Sequence, residues 1–252
     1  MIDAKTVIDA LALPANTRLD QRIQKKLLLD QVATNTADKQ KIRDGIDSLH
    51  WIAAIKSDNV TIPPFRDKTR EYLELAVIHA VLRPDAKISR LTALLHRAIP
   101  YPMVLIVSNG DEIAFSLVHK RFSQGEDGQV VLDGEIVQET LLDSDGLDAE
   151  FLTSLVLSEQ DADNLFRLYQ GWLERLTALA AARLCGFFLP LSGQENETRI
   201  AALTAHTQTT KKLTTLCTKV KKEKQLKRRV ELNLEISNMQ DKLEQLVAEL
   251  DG

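Results

Sequence analysis

The sequence predicts an α+β fold: helices first, then a mainly antiparallel sheet in the order β-β-α-β-β-β, then long helices with coiled-coil character. Three observations lead to that class. Apolar residues recur at three- and four-residue spacing at both ends of the 252-residue chain. The centre, about residues 58–142, is β-branched and punctuated by Pro and by an Asn-Gly turn. From about Thr198 to Leu250 there is no Pro or Gly at all.

In the first third, Val7, Ile8 and Leu11 make a short apolar helical face that Pro14 ends. Leu19, Ile23, Leu27 and Leu28 then recur at helical spacing. Thr36-Ala37-Asp38-Lys39 reads as a helix start, with Thr36 as N-cap and Asp38 in the first turn, where the helix dipole favours an anion. From there Ile42, Ile46, Leu49, Ile52 and Ile55 continue at steps of three and four, which predicts one amphipathic helix with Trp51 beside its stripe.

The period then changes. Asn59 to Ile62 is short and β-branched and is stopped by Pro63-Pro64, so it is expected to be a strand. Tyr72 to Leu82 follows as a second strand, and Pro84-Asp85 turns the chain. Ile88, Leu91, Leu94 and Leu95 then give an amphipathic helix of about three turns. Met103 to Val107 is continuously apolar, as a strand buried on both faces requires. Asn109-Gly110 supplies the positive φ angles of a tight hairpin, and Ile113 to Val118 returns. Gly125 to Gly128 is another turn, followed by strand residues Val130, Val131, Ile136 and Val137. A helix from about Leu157 to Leu184 and a break over Gly186 to Glu195 come next. These elements suggest two domains, 1–145 with the sheet and 146–252 helical, the second ending in a coiled-coil arm.

That arm carries two separable features. Leu232, Ile236, Met239, Leu243, Leu246 and Leu250 fall at alternating steps of four and three, an a/d seam suited to contact with protein: this chain, a second copy or another protein. Ahead of it, Lys219, Lys221, Lys222, Lys224, Lys227, Arg228 and Arg229 put seven cations into eleven residues. Such a run is either a solvated face or a phosphate contact, in which each cation displaces a condensed counterion. No aromatic residue interleaves with it, so any nucleic acid, DNA or RNA, would be held by its backbone.

Elsewhere the chemistry is sparse. The net charge of −4 carries no whole-molecule argument for nucleic acid. Cys185 and Cys217 are isolated, which suits a reducing cytoplasm and gives no zinc pattern. No secretory leader or membrane-spanning run is expected, and none of the P-loop, dinucleotide, zincin or serine-hydrolase motifs occurs. His79 and His96 are read as structural. His119-Lys120-Arg121, at a strand end, gathers three potential cations for a phosphate or an acidic partner, with Lys120 and Arg121 as its candidates. One enzyme class remains open, a Mg²⁺-dependent nuclease of the PD-(D/E)xK type. In it two acids hold the metal and a lysine steadies the attacking water or the leaving phosphate. Glu74, Asp85 and Lys87 have the right letters, although acid-x-lysine also occurs idly at Asp3-Ala4-Lys5. No other reading calls for a metal or cofactor.

Several stretches together resemble a bacterial domain-of-unknown-function family of about this length. They are Thr36 to Lys39 with Ile42 and Ile46; Trp51 with Ile55; Val60 to Ile62; the Glu74 strand; Ala98-Ile99-Pro100-Tyr101-Pro102; Lys120-Arg121; and Arg229 to Ile236. The resemblance implies a helical start, a central sheet and a coiled-coil end. It also implies genes that accompany DNA methyltransferase and helicase genes in restriction-like phage-defence loci. From this we expect an accessory or scaffold protein of a DNA-acting complex, with the helicase or the methyltransferase as partner, while the Leu232–Leu250 seam separately leaves a homodimer open. The resemblance supplies no catalytic residue.

Overall fold

The computed structural model describes residues 2–31, 36–125, 128–142 and 146–250. It is a mixed α+β structure in two compact units, Met1–Leu176 and Thr177–Gly252. The first unit begins with α1 (Ala4–Ala10), capped by the Asp3 carboxylate on the Thr6 N–H at 2.7 Å. Then come β1 (Arg18–Arg22), α2 (Lys25–Gln31), α3 (Thr36–Gly45), β2 (Ile46–Lys56) and the single turn α4 (Ser57–Val60). A two-stranded ribbon of β3 (Phe65–Arg66) and β4 (Glu71–Tyr72) precedes β5 (Glu74–Leu82), α5 (Ile88–Ala98), β6 (Met103–Asn109), β7 (Glu112–Phe122) and β8 (Val130–Leu141). The unit closes with α6 (Gly146–Ser154) and the first half of α7 (Leu165–Cys185).

The six-stranded sheet has the order β1-β2-β5-β6-β7-β8 and is antiparallel throughout except between β5 and β6. That parallel pair needs a crossover, which α5 supplies. One face of the sheet carries Ile46, Leu49, Ala76, Ile78, Ala80, Met103, Leu105 and Val107 under α2, α3 and α5. The alternate residues, such as Val77, Val104, Ile106 and Phe115, are equally buried. On their side, Phe115 packs edge-on to Phe151 of α6, and the Tyr169 hydroxyl of α7 donates to the carbonyls of Met103 and Val118 at 2.9 Å each. Coverage on both faces is why Met103–Val107 is apolar without alternation. The first unit runs past the junction expected near residue 145, because α6 and the start of α7 complete this layer.

Several expectations are corrected. Leu19 lies in strand β1, not in a helix, and Ile23 follows just beyond it. Ile46–Lys56 is an eleven-residue strand rather than the continuation of α3. Its pairing with β5 slips between Ile46 and Ser48 and again between Trp51 and Ala53. Each bulge adds one residue and moves the next apolar side chain back to the same face at a spacing of three, which imitates a helical period. Asn59–Ile62 is no strand. Asn59 is the third residue of the helical turn α4, accepts from the Lys56 N–H at 2.8 Å and donates to the Ala54 carbonyl at 2.8 Å, and Thr61 follows the turn at φ 59°. A short amide side chain binding nearby backbone outweighs β-propensity here. The helix expected from Leu157 starts at Leu165, where Asn164 accepts from the Arg167 N–H at 3.0 Å. The expected turn at Gly125 to Gly128 falls partly outside the described residues.

The second unit holds the remainder of α7, then α8 (Gly193–Lys222) and α9 (Leu226–Ala248). The expected single long helix is a hairpin: α9 folds back along α8, and Leu250 packs on Ala202 and Ala181. Neither Pro nor Gly breaks it. Glu223 does: its backbone N–H donates to the Lys219 and Val220 carbonyls at 3.0 and 3.3 Å. Its carboxylate accepts from the N–H groups of Lys224 and Gln225 at 2.8 and 2.9 Å. One residue thus ends α8 and prepares the entry to α9. Among the described residues no helix is long and apolar enough to cross a membrane.

Candidate functional site

The basic segment lies on the hairpin turn. Lys219, Lys221 and Lys222 end α8, Lys224 sits in the turn, and Lys227, Arg228 and Arg229 occupy the first turn of α9. All seven side chains are exposed. The first three stand at the negative end of the α8 dipole, where cations stabilise a helix. The last three stand at the positive end of α9, where cations are unfavourable, and no acid accompanies them in that turn. Arg228 is paired with Glu231 at 2.8 Å. Chemically the turn is an accessible, strongly positive surface, suited to phosphate.

The apolar seam behind it is directed inward. Leu232, Leu246 and Leu250 are buried and Ile236, Met239 and Leu243 half-buried, against α8 residues such as Ala202, Thr209 and Leu216. This chain itself fills the seam.

Lys120 and Arg121 belong to the first unit, near the end of β7. Lys120 is 3% exposed, and its ammonium donates to the carbonyls of His96 and Ile99 at the C-terminal end of α5. Burial pulls its pKa down to about 7. Arg121 stands 3.6 Å from Asp133, a carboxylate that Arg70 also holds at 2.8 and 2.6 Å. Burial lowers the pKa of His119 and so favours its neutral form. It joins a directed chain in which the Tyr72 hydroxyl accepts from the Lys120 N–H at 3.3 Å and donates to His119 Nδ1 at 2.5 Å. His119 Nε2 then donates to Gln170 Oε1 at 2.6 Å. Nothing in the sequence signalled this chain, since its members lie tens of residues apart.

Beside it a cleft of about 430 Å³ is bordered by Lys56, Glu71, Glu74, Tyr101, Lys120 and Arg121. Glu74 pairs with Lys56 at 3.1 Å and raises the lysine's pKa, and Glu71 pairs with Arg66 at 3.2 Å. Each charged group here already has a partner, so the cleft is close to neutral. Glu74, Tyr101 and Lys120-Arg121 from the family-like stretches meet at this cleft, and Trp51 packs on Tyr101 with ring centroids 5.8 Å apart.

The three nuclease candidates do not share a site. Glu74 opens β5 and lines that cleft, whereas Asp85 and Lys87 follow the other end of the strand and border a groove with Asp44 and Arg90. Eight strand steps at roughly 3.3 Å put about 26 Å between the two ends of β5. Asp85 is a turn residue at φ 69°, and Lys87, not Asp85, holds the N-cap position of α5. No two-acid-and-lysine centre is assembled from these side chains. Among the described residues no cluster of three or more His, Cys, Asp or Glu is placed to hold a metal ion.

Fold and site together define an α+β sheet protein that carries a basic helical hairpin. The family described as Domain of unknown function (DUF4391) matches residues 11–243, nearly the whole length, and the chain belongs to it. No curated protein and no solved structure matches the chain.

Proposed function

We propose that this protein is a non-catalytic accessory or scaffold subunit of a DNA-acting bacterial defence complex, working in the cytoplasm beside a helicase or a DNA methyltransferase. It holds nucleic-acid backbone on the turn between α8 and α9. The observation that carries this reading is the placement of Lys227, Arg228 and Arg229 at the positive end of α9 with no acid in that turn. Helix stability disfavours cations there, so their presence fits an external anion. Contact with the protein partner falls outside the 232–250 seam, whose apolar side chains face α8.

The test is direct titration of labelled duplex DNA with wild-type protein and with a variant carrying Lys221→Glu, Lys222→Glu, Lys227→Glu and Arg228→Glu. All four side chains are exposed, so the substitutions remove no buried contact, and far-UV circular dichroism checks that the variant keeps its helix content. Affinity at low salt is expected to fall at least about 100-fold, as loss of four phosphate contacts implies. Equal affinity of the two proteins refutes the reading. Capture of helicase or methyltransferase from the native host by the tagged protein tests the complex separately.

A further inference from the structure

On the side of α9 away from the seam, Leu226, Val230 and Leu234 are 75%, 61% and 64% exposed. They are four residues apart, so they form one ridge, turned by roughly 160° from the Leu232–Leu250 seam at ~100° per residue. Solvation does not account for three large apolar side chains in register on a helix that already has a buried face. Lys227 and Glu231 flank the ridge on one side.

We propose that this ridge is a self-association surface, on which α9 of a second copy lies antiparallel about a two-fold axis at Val230. Leu226 and Leu234 are each four residues from Val230, so the axis sets Leu226 on the partner's Leu234, and the reverse, with Val230 on the partner's Val230. That is the self-complementarity of an isologous contact. The charges select the same direction. The start of α9 carries Lys227, Arg228 and Arg229, whereas Glu231, Glu235, Asp241 and Glu244 follow with Lys242 as the one later cation. With the axis at Val230 the two helices overlap over residues 226–234, and there the antiparallel pair places Lys227 beside the partner's Glu231 twice, on the carboxylate that Arg228 of its own chain holds at 2.8 Å. A parallel pair sets like on like. This surface is separate from the seam and does not rest on the phosphate reading, because the experiment contains no nucleic acid.

Sedimentation equilibrium of the full chain, over two decades of concentration, is the test. Wild type is expected to pass from the mass of one chain to that of two, and Leu226→Glu with Val230→Glu to stay at one. Lys227→Glu alone and Glu231→Lys alone each set like charges together twice and are expected to weaken association about tenfold. The double exchange restores it. Far-UV circular dichroism checks that each variant keeps its helix content. A wild type that stays monomeric overturns the proposal, as does dimerisation that survives the ridge substitutions. Failure of the double exchange to rescue overturns the antiparallel register. Binding of acidic peptide or anionic vesicles by a monomeric wild type would assign the ridge to a different occupant.

Discussion

His96 is held 3.0 Å from the Ser116 hydroxyl, which itself lies 3.1 Å from the Val137 carbonyl. The hydroxyl has one proton and the carbonyl can only accept it, so the imidazole hydrogen must sit on Nε2, leaving Nδ1 a buried lone pair with no partner. Burial first, and then the charge of Lys120, pull this histidine down to about 3. In the unfolded chain it titrates near 6.5. Between those values the unfolded state binds a proton that the folded state refuses. Its contribution is therefore intact above pH 6.5 and is lost progressively as pH falls toward 3. We expect His96→Leu, which removes this proton uptake, to flatten the dependence of the urea midpoint on pH below 6.5. The slope of the unfolding free energy against pH should fall by up to about 1.4 kcal/mol per pH unit. Parallel pH profiles of variant and wild type would mean that His96 is hydrated in the folded protein. His96 reads from its helix as a structural residue, but Ser116 lies on β7 across the layer, and no local pattern connects the two. Lys120 shows the same limit: it reads as a surface cation until α5 is seen to present two carbonyls to it.

At the scale of elements, legibility followed how far each signal reaches along the chain. α5, β6 and the Asn109-Gly110 hairpin were readable because period, length and turn chemistry are local; Gly110 has φ 60°, as the turn requires. β2 was not readable, because its bulges are set by pairing with β5 and convert strand alternation into three-residue spacing. The hairpin between α8 and α9 was hidden for a different reason, since it is made by a glutamate within a run of good helix formers. Replacing Glu223 by Ala removes the acceptor for the Lys224 and Gln225 N–H groups and favours continuing α8 straight through. We expect this change to lower stability by about 1 kcal/mol, as for loss of a typical side-chain hydrogen-bond acceptor. Hydrogen exchange should show it as faster exchange of amides 223–229. Unchanged protection there would place the turn under the control of the Leu232–Leu250 packing instead.

Across the whole molecule, charge is distributed unevenly. Lys219 to Arg229 carries seven cations and one carboxylate, +6, so the remaining residues together carry −10 within a net charge of −4. The molecule as a whole therefore repels a polyanion, while the hairpin turn attracts one. Screening acts on the two effects differently: at 0.15 M salt the field of distant charges fades beyond about 8 Å, whereas a direct ion contact persists. Two consequences follow for DNA binding. The salt dependence should report only the contacts made at the turn, with log K falling against log[salt] at about −0.9 per phosphate neutralised. Four to seven contacts then give a slope of about −4 to −6, and the quadruple charge reversal should bring it near zero. Below about 0.05 M salt the repulsion of the remainder becomes long-ranged, so the plot should bend toward weaker binding than the straight line extrapolates. Fluorescence anisotropy across a salt series measures both features. A slope that survives the four substitutions would move the phosphate contact away from the hairpin and onto a surface formed by the sheet unit.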